Sequence, residues 1–272
     1  MSVVDSKVAL VALQGLRQAN TDMNRSAERL ATGLRINQAG DDPAGYGKAS
    51  ALKAEIGSFN QVKRNISSSL SELSKVGDGL STISDYLVEM RSIALAAASE
   101  TDTGMLATYQ ESFDEYVASI NEIAANTKYG DSKVLDGTVT SKTVQTGINS
   151  GDIKTLTFSS ASAGGVGVGA ITLSTGASAA IGTIETALDT VASKMAQVGG
   201  YQNALEGSLD LADSSIIAKS SQYGNIMNAD LALEATNLAA ARIRQDSATA
   251  VLAQANSMNR TIADYLLNGA IG

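Results

Sequence analysis

Residues 52–94 read LKAEIGSFNQVKRNISSSLSELSKVGDGLSTISDYLVEMRSIA, and the spacing of their apolar side chains decides the fold. Between Leu52 and Ala94 the apolar residues are separated by twelve steps that cover 42 residues, a mean of 3.5. Only a 3.5-residue repeat keeps an apolar stripe facing a partner helix, so the pattern predicts a left-handed coiled coil. Gly77 and Gly79 interrupt the repeat, at a cost of roughly 1 kcal/mol each relative to alanine.

Four other segments carry helical periodicity. Residues 184–226 repeat the same spacing, again with twelve steps over 42 residues. Residues 105–126 continue the pattern in a shorter helix that should fold back along the preceding one. The terminal segments are weaker. The first runs from about Lys7 to a helix end near Gly33, and the last follows a break at residues 224–230. Their apolar repeats include Val8, Val11, Ala19, Ala241, Ala248 and Ala255.

The middle of the chain differs from both ends. From Tyr129 to about Gly182 glycine, serine and threonine surround short β-branched runs such as TVTSKTVQTG and IKTLTFS, which predict the strands of a hairpin. The tract SASAGGVGVGAITLSTGASAAIG, residues 160–182, is too rich in glycine to bury a core of its own, so we expect an exposed surface loop. The fold class predicted is mainly α, a long coiled-coil helical rod with a small β-hairpin region and a terminal two-helix domain.

The terminal helices are rich in alanine, asparagine, glutamine and serine, and each has only the other as a partner within the chain. Two such helices form a marginal pair, so we expect them to be disordered in the monomer and ordered only when many copies pack together. We assign residues 1–40 and 229–272 to the two helices of the terminal domain. Residues 41–228 form the rod, with the hairpin and the Gly/Ser-rich surface loop at about 129–183. This organisation predicts a polymer.

The composition excludes several classes of function. A net charge of −8 and a pI near 4.6 give no electrostatic footprint for nucleic acid or an anionic membrane. Without His or Cys the chain has no thiolate ligand and lacks the commonest general base, which argues against an enzyme. We therefore predict no catalytic, cofactor-binding or metal-binding residue. The first residues lack a small-residue cleavage site, so we expect a chain that is soluble or that leaves the cell by a route needing no cleaved signal peptide.

The stretch RINQAGDDPAG, residues 35–45, holds the only proline of the chain and two adjacent aspartates. Asp42 before Pro43 is the expected chemistry for starting a helix, an N-cap acceptor followed by proline at the first helical position. A turn, a metal site and a contact between subunits would each explain the stretch. Asp41 and Asp42 alone supply too few convergent oxygens for a hard cation. We favour a segment that joins the terminal helix to the rod and contacts neighbouring subunits.

Candidate site residues follow from these arguments. The polar segment and the terminal helices supply the subunit-interface candidates, which are Leu30, Arg35, Asn37, Asp41, Asp42, Pro43, Leu231, Leu252, Asn256 and Leu266. The leucines are included because a monomer buries them poorly. The Gly/Ser-rich tract is either a flexible linker or an outer surface that carries O-linked glycans, for which the candidates are Ser162, Thr175 and Ser178.

Several of these motifs resemble those of a known family. RLATGLRINQAGDDPAG, residues 29–45, resembles the N-terminal signature of bacterial flagellins. GGYQNALE at residues 199–206, NADLALE at 228–234 and LAQAN at 252–256 are similar to motifs of the C-terminal half of that family. The resemblance covers about residues 2–148 and 184–268.

The resemblance implies a short flagellin without outer domains, a structural subunit that polymerises into the flagellar filament used for swimming. It implies a terminal domain lining the filament core and an extracellular location reached through the flagellar type III channel. The implied partners are further copies of the chain, sister flagellins, the hook-filament junction protein, the filament cap and an export chaperone. The alternative is the hook-filament junction protein itself, which resembles flagellin at both ends. A flagellin carrying a metallopeptidase would need a His-Glu-x-x-His helix, which a chain without His lacks.

Overall fold

The computed structural model describes the backbone of residues 3–269 and the side chains of residues 7–261. The described part of the chain contains five helices and two small antiparallel hairpins, which confirms the predicted mainly α fold. The helices are α1 (Val3–Thr32), α2 (Pro43–Ala98), α3 (Thr103–Asn126), α4 (Leu173–Met227) and α5 (Leu231–Gly269). The strands are β1 (Lys128–Tyr129), β2 (Ser132–Lys133), β3 (Ser141–Gln145) and β4 (Ile153–Thr157).

The chain divides into two compact units. Unit 1 combines residues 1–54 with residues 219–272, and unit 2 consists of residues 55–218. Unit 2 is built on the predicted repeat of α2, since the side chains from Leu73 to Ala94 that keep the 3.5-residue spacing are buried. They share one hydrophobic core with side chains of α3 and α4, among them Phe113, Ile120, Ile184, Val191 and Leu205. The coiled-coil pattern of α2 therefore identifies residues that form the core of this unit.

The turn of each hairpin in unit 2 is held by a hydrogen bond to a carboxylate. The β1–β2 pair turns at Gly130, whose φ of +61° favours glycine, and the backbone N–H of Gly130 donates to Glu72 Oε2 at 2.9 Å. The β3–β4 pair runs in register from Ser141 opposite Thr157 to Gln145 opposite Ile153. Its loop is held by Asp152, which accepts from the backbone N–H of Asn149 at 3.0 Å.

The glycine-rich tract is exposed at most of its glycines, as the sequence predicts, but the apolar residues between them are not. Ala161, Ala163, Val166 and Val168 are buried, and helix α4 begins within the tract at Leu173. The small side chains let the backbone pack closely, and its polar groups find partners: Ala161 N donates to Leu135 O at 2.7 Å, and Ala163 N to Asn121 Oδ1 at 3.0 Å. Satisfied backbone groups allow this irregular segment to be buried in the core of unit 2.

The two glycines that interrupt the α2 repeat are expected to respond in opposite ways to alanine. A Cβ on Gly79 would lie 2.7 Å from Thr127 Oγ1, whose side chain is held by a 2.8 Å bond to Ile123 O. A Cβ on Gly77 would meet Val198 Cγ1 at 3.9 Å, an ordinary contact. Gly77→Ala should raise the free energy of unfolding by about 1 kcal/mol, and Gly79→Ala should lower it. Urea unfolding of both variants measures this, and equal gains would contradict it.

Candidate subunit interface

The N-terminal half of unit 1 changes direction at a short segment after α1. Gly33 ends the helix with a φ of +72°, and its N–H donates to Arg29 O at 2.8 Å. A residue with a Cβ would be strained in this left-handed conformation, so glycine is the expected C-terminal cap. We call residues 33–42 together with residues 226–230 the joint.

The two segments of the joint pair with each other through their backbones. Leu34 and Asn228 form an antiparallel bridge, in which Arg35 N donates to Met227 O at 2.6 Å and Ala229 N to Gly33 O at 2.9 Å. The Arg35 side chain adds a bond from Nη2 to Ile226 O at 2.7 Å. These bonds tie the chain that leaves α1 to the chain that enters α5.

Within the joint, Asp41 and Asp42 have separate local roles. Asp41 Oδ2 accepts from the backbone N–H groups of Asn37 and Gln38 at 3.0 and 3.1 Å. These bonds, with smaller contributions from Arg29 and Arg25, lower the pKa of Asp41. Asp42 Oδ1 accepts from Gly45 N at 2.9 Å, the N-cap geometry expected before Pro43. Among the described residues no group of three or more acidic side chains is placed to hold a metal ion.

Helices α1 and α5 meet along a seam of small side chains. In residues 7–32 of α1 the buried residues are Ala12, Ala19 and Ser26, and in residues 231–261 of α5 they are Glu234, Ala241, Ala248 and Ala255. In each helix these positions are seven residues apart, which is the repeat of a coiled coil. Alanine at this spacing allows a close approach of the two helices but leaves little apolar area at the contact. The pair is therefore narrow and weak by itself.

Glu234 is the one acidic residue among these buried seam positions, and side chains of α1 donate hydrogen bonds to its carboxylate. Its exposed fraction is 5%, Ser26 Oγ donates to Oε2 at 2.9 Å and Arg29 Nη1 donates to Oε1 at 2.9 Å. Burial acts to raise the pKa of Glu234, but bonds from Arg29, Ser26 and Asn237 outweigh it and hold the pKa below its ordinary value. Glu234 stays ionised at neutral pH and links the two helices one turn from the joint.

Two further polar pairs cross between α1 and α5. Arg244 Nη1 donates to Asp22 Oδ2 at 2.9 Å, and Gln245 Nε2 donates to Asn20 Oδ1 at 2.7 Å. The Arg244–Asp22 pair is solvated, so it contributes at most about 1 kcal/mol. These polar pairs align the two helices, but they add little to the stability of the helix pair.

Many large aliphatic side chains of the pair are exposed, and several of them lie directly beside the seam. We call them the outer face, and they are Val8, Leu10, Val11, Leu13, Leu231, Leu233, Ile243, Val251 and Met258. Val8, Val11 and Ala19 belong to the apolar repeat predicted for α1, but of these three only Ala19 is buried, and Ala12 joins it in the seam. An apolar groove of about 480 Å³ runs between the two helices and is lined by residues such as Val8, Val11 and Val251. In the isolated chain, therefore, the groove and the outer face expose a contiguous apolar surface to solvent.

The structure places the predicted interface residues as follows. In the joint, Asn37, Asp41 and Asp42 are half-buried and Arg35 is exposed, and Pro43 at the start of α2 is exposed as well. On the helices, Leu30 and Leu252 are half-buried and Leu231 and Asn256 are exposed. The side chain of Leu266 lies outside the described residues.

The glycan candidates lie in two settings. Thr175 and Ser178 are exposed in the first turns of α4. Ser162 is half-buried, with its Oγ 2.9 Å from Ser160 Oγ and accepting from Gly165 N at 3.2 Å.

Sequence reasoning missed Ser26, Arg29 and Glu234 as a site. The signal was present, because Ser26 lies in phase with Ala12 and Ala19, and Glu234 with Ala241, Ala248 and Ala255. A seven-residue ladder of small residues in each terminal helix marks a close pair, and an acid on the same ladder needs a partner.

The fold and the terminal pair define a class, a mainly α-helical coiled-coil protein whose first and last helices pack together. The family model described as "Bacterial flagellin N-terminal helical region" matches residues 4–140, and the one described as "Bacterial flagellin C-terminal helical region" matches residues 181–266. The chain belongs to the bacterial flagellin family.

Curated relatives agree over nearly the full length. Flagellin FljM of Caulobacter vibrioides is 30% identical over 265 residues, covering 96% of this chain and 97% of the relative. A flagellin of Halalkalibacterium halodurans is 28% identical over 265 residues, covering 94% and 97%. The crystal structure of Bacillus cereus flagellin covers 54% of this chain and 88% of its own, with a TM-score of 0.50 and 24% identity, which supports the fold alone.

These findings confirm a short flagellin, a structural subunit that polymerises into the bacterial flagellar filament. Its family partners are further copies of itself and sister flagellins, of which Caulobacter vibrioides has several. The filament lies outside the cell. In the described part of the chain no helix has the length and apolar character needed to cross a membrane.

Proposed function

We propose that this flagellin polymerises by burying the outer face of its α1–α5 pair against further copies. The observation that supports the proposal is the concentration of large exposed aliphatic side chains on the two helices whose mutual seam holds mostly alanine. Fully burying one such side chain contributes about 1.5–3 kcal/mol, so several of them exceed what the seam itself supplies. Assembly would therefore provide the stability that the pair lacks alone.

In this proposal residues 1–40 and 229–272 form the filament-core domain and residues 41–228 the rod domain. The joint residues Arg35, Asn37, Asp41 and Asp42 and the adjacent Pro43 contact neighbouring subunits, as do Leu30, Leu231, Leu252, Asn256 and Leu266. The exposure of Leu231 and Asn256 supports their inclusion.

Export and further partners belong to the same proposal. The chain passes largely unfolded through the flagellar type III channel, and the absence of Cys supports this because no disulfide can crosslink it in transit. The hook-filament junction protein, the filament cap and an export chaperone are the proposed transient or terminal partners. We propose no catalytic role, and we retain Ser162, Thr175 and Ser178 as proposed glycan sites, of which the exposed Thr175 and Ser178 are the better supported.

Two isoleucines of nearly equal exposure test the assigned face. Ile243 on the outer face is 66% exposed, and Ile217 on α4 is 70% exposed. Neither is buried in the single chain, so serine at either position should leave its unfolding unchanged. Ile243→Ser is expected to raise the concentration needed for seeded filament growth by about tenfold, because assembly would no longer bury an isoleucine. Ile217→Ser should have a smaller effect.

The measurement is electron microscopy and sedimentation of each variant after adding filament seeds and ammonium sulfate, which strengthens apolar burial. Normal growth of Ile243→Ser, or an equal loss for Ile217→Ser, would contradict the assignment of the outer face. If the unmodified chain formed no filaments under these conditions, the proposal that it polymerises through this face would be wrong.

A further inference from the structure

The sulfur atoms of this chain are all methionine thioethers, since it has seven Met and no Cys. Among the described residues, Met90 and Met227 are buried and Met23 and Met195 are half-buried. Met105 and Met258 are 46% and 47% exposed. Solvent access governs how readily a thioether is oxidised, so Met105 and Met258 are the most accessible methionines within residues 7–261 and form a matched pair.

The surroundings of the two residues differ. Met258 lies on α5 and lines an apolar groove of about 240 Å³ together with Val8, Val251 and Ala255. Val8 and Val251 also line the larger groove between α1 and α5, so Met258 extends one continuous apolar surface. Met105 lies in the first turn of α3, and its backbone N–H donates at 3.2 Å to Oδ1 of the N-cap residue Asp102. It belongs to unit 2, outside the outer face.

The groove fits a second copy of this chain. Its lining is almost entirely apolar, which suits aliphatic side chains, and the same two helices carry Leu10 and Ile243 with about two thirds of their surface exposed. One molecule thus offers both the apolar groove and the aliphatic side chains that fill such a groove. Burial of the groove by another copy rests on the proposed function.

We propose that Met258 is a modification site at which oxidation by a peroxide blocks assembly. Hydrogen peroxide transfers one oxygen to Sδ, the O–O bond breaks and the second oxygen leaves as water. The sulfur loses the two electrons that reduce the peroxide. The product, a sulfoxide, is polar and a strong hydrogen-bond acceptor, so it disfavours burial in an apolar groove. The same reaction at Met105 leaves the outer face unchanged.

The experiment treats the purified full-length chain with hydrogen peroxide, removes the oxidant with catalase and quantifies each methionine by peptide mass spectrometry. Seeded filament growth is then measured by sedimentation and electron microscopy. The variants are Met258→Leu and the matched control Met105→Leu, since leucine conserves the volume and cannot be oxidised. Oxidised wild type and oxidised Met105→Leu are expected to need at least tenfold more protein for growth. Oxidised Met258→Leu should grow like its untreated form.

A second arm treats finished filaments. Met258 should be protected there by at least fivefold relative to the free chain, while Met105 keeps its reactivity. Equal growth of oxidised and untreated wild type, equal losses in both leucine variants, or unprotected Met258 in filaments would overturn this inference alone. Failure of the untreated chain to grow would instead overturn the proposed function together with it.

Discussion

A chain that ends at Asp230, and so lacks α5, is expected to keep unit 2 folded and to form no filaments. The buried core of unit 2 draws its residues from positions 62–205, so none of it is removed. Unit 1 loses one whole side of its seam, which leaves Ala12, Ala19 and Ser26 exposed and Arg29 without the Glu234 carboxylate. Circular dichroism should show cooperative unfolding of the remaining helices, and seeded growth should be absent by electron microscopy.

A reciprocal deletion provides the control for this result. A chain that begins at Arg35 loses α1 but retains α5, and it removes the opposite side of the same seam. Both deletions should abolish growth, because the pair needs both helices. Filaments from either truncated chain would show that the α1–α5 pair is dispensable for assembly.

The second large effect is expected for Glu234→Ala. Removing this carboxylate leaves the Arg29 guanidinium and the Ser26 hydroxyl without their partner on α5. Removing one partner of a largely buried ion pair costs about 3 kcal/mol, which corresponds to on the order of 100-fold in the concentration needed for assembly. Asp246→Ala, at an exposed position of the same helix, is the control and should change assembly little.

The pH dependence of this effect has a defined sign. The pKa of Glu234 is lowered in the folded chain, so its contribution is complete above the ordinary value of 4.5 and is lost as the pH falls through the folded value. Glu234→Gln should therefore assemble worse than wild type at pH 7, and the difference should shrink toward pH 3. Asp41, whose pKa is also lowered, titrates in both proteins and cancels in the comparison. A difference that is constant with pH would exclude the ionised carboxylate as its cause.

Much of the fold was predictable because local periodicity carries it. The 3.5-residue repeat of α2 specifies which face is apolar, and nearly the same positions from Leu73 to Ala94 are buried. The end of α1 at Gly33 and the cap at Asp42 follow from the conformational preferences of single residues. The burial of Ala161 and Ala163 within the glycine-rich tract was not predicted, because it depends on Leu135 and Asn121, which are distant in sequence.

The interface candidates were predicted only in outline. The polar joint and the terminal helices could be singled out by composition, but the partners of Arg35 and Glu234 are 191 and 205 or more residues away along the chain. No local pattern reports such pairings. The burial of Ala12 in the seam, in place of the larger Val8 and Val11, also depends on how closely the second helix approaches.

The sequence by itself determined the mainly α fold, the end of α1 and the start of α2, the absence of thiol and imidazole chemistry, and the flagellin motifs. Each of these depends on residue type and short-range spacing. Only the tertiary structure decided that Glu234 is buried against Ser26 and Arg29. It also decided that the two segments of the joint pair at Leu34 and Asn228, and that the large aliphatic side chains of α1 and α5 remain exposed to solvent. These features arise where the two ends of the chain meet, and a seam of alanines is too narrow to cover the larger side chains beside it.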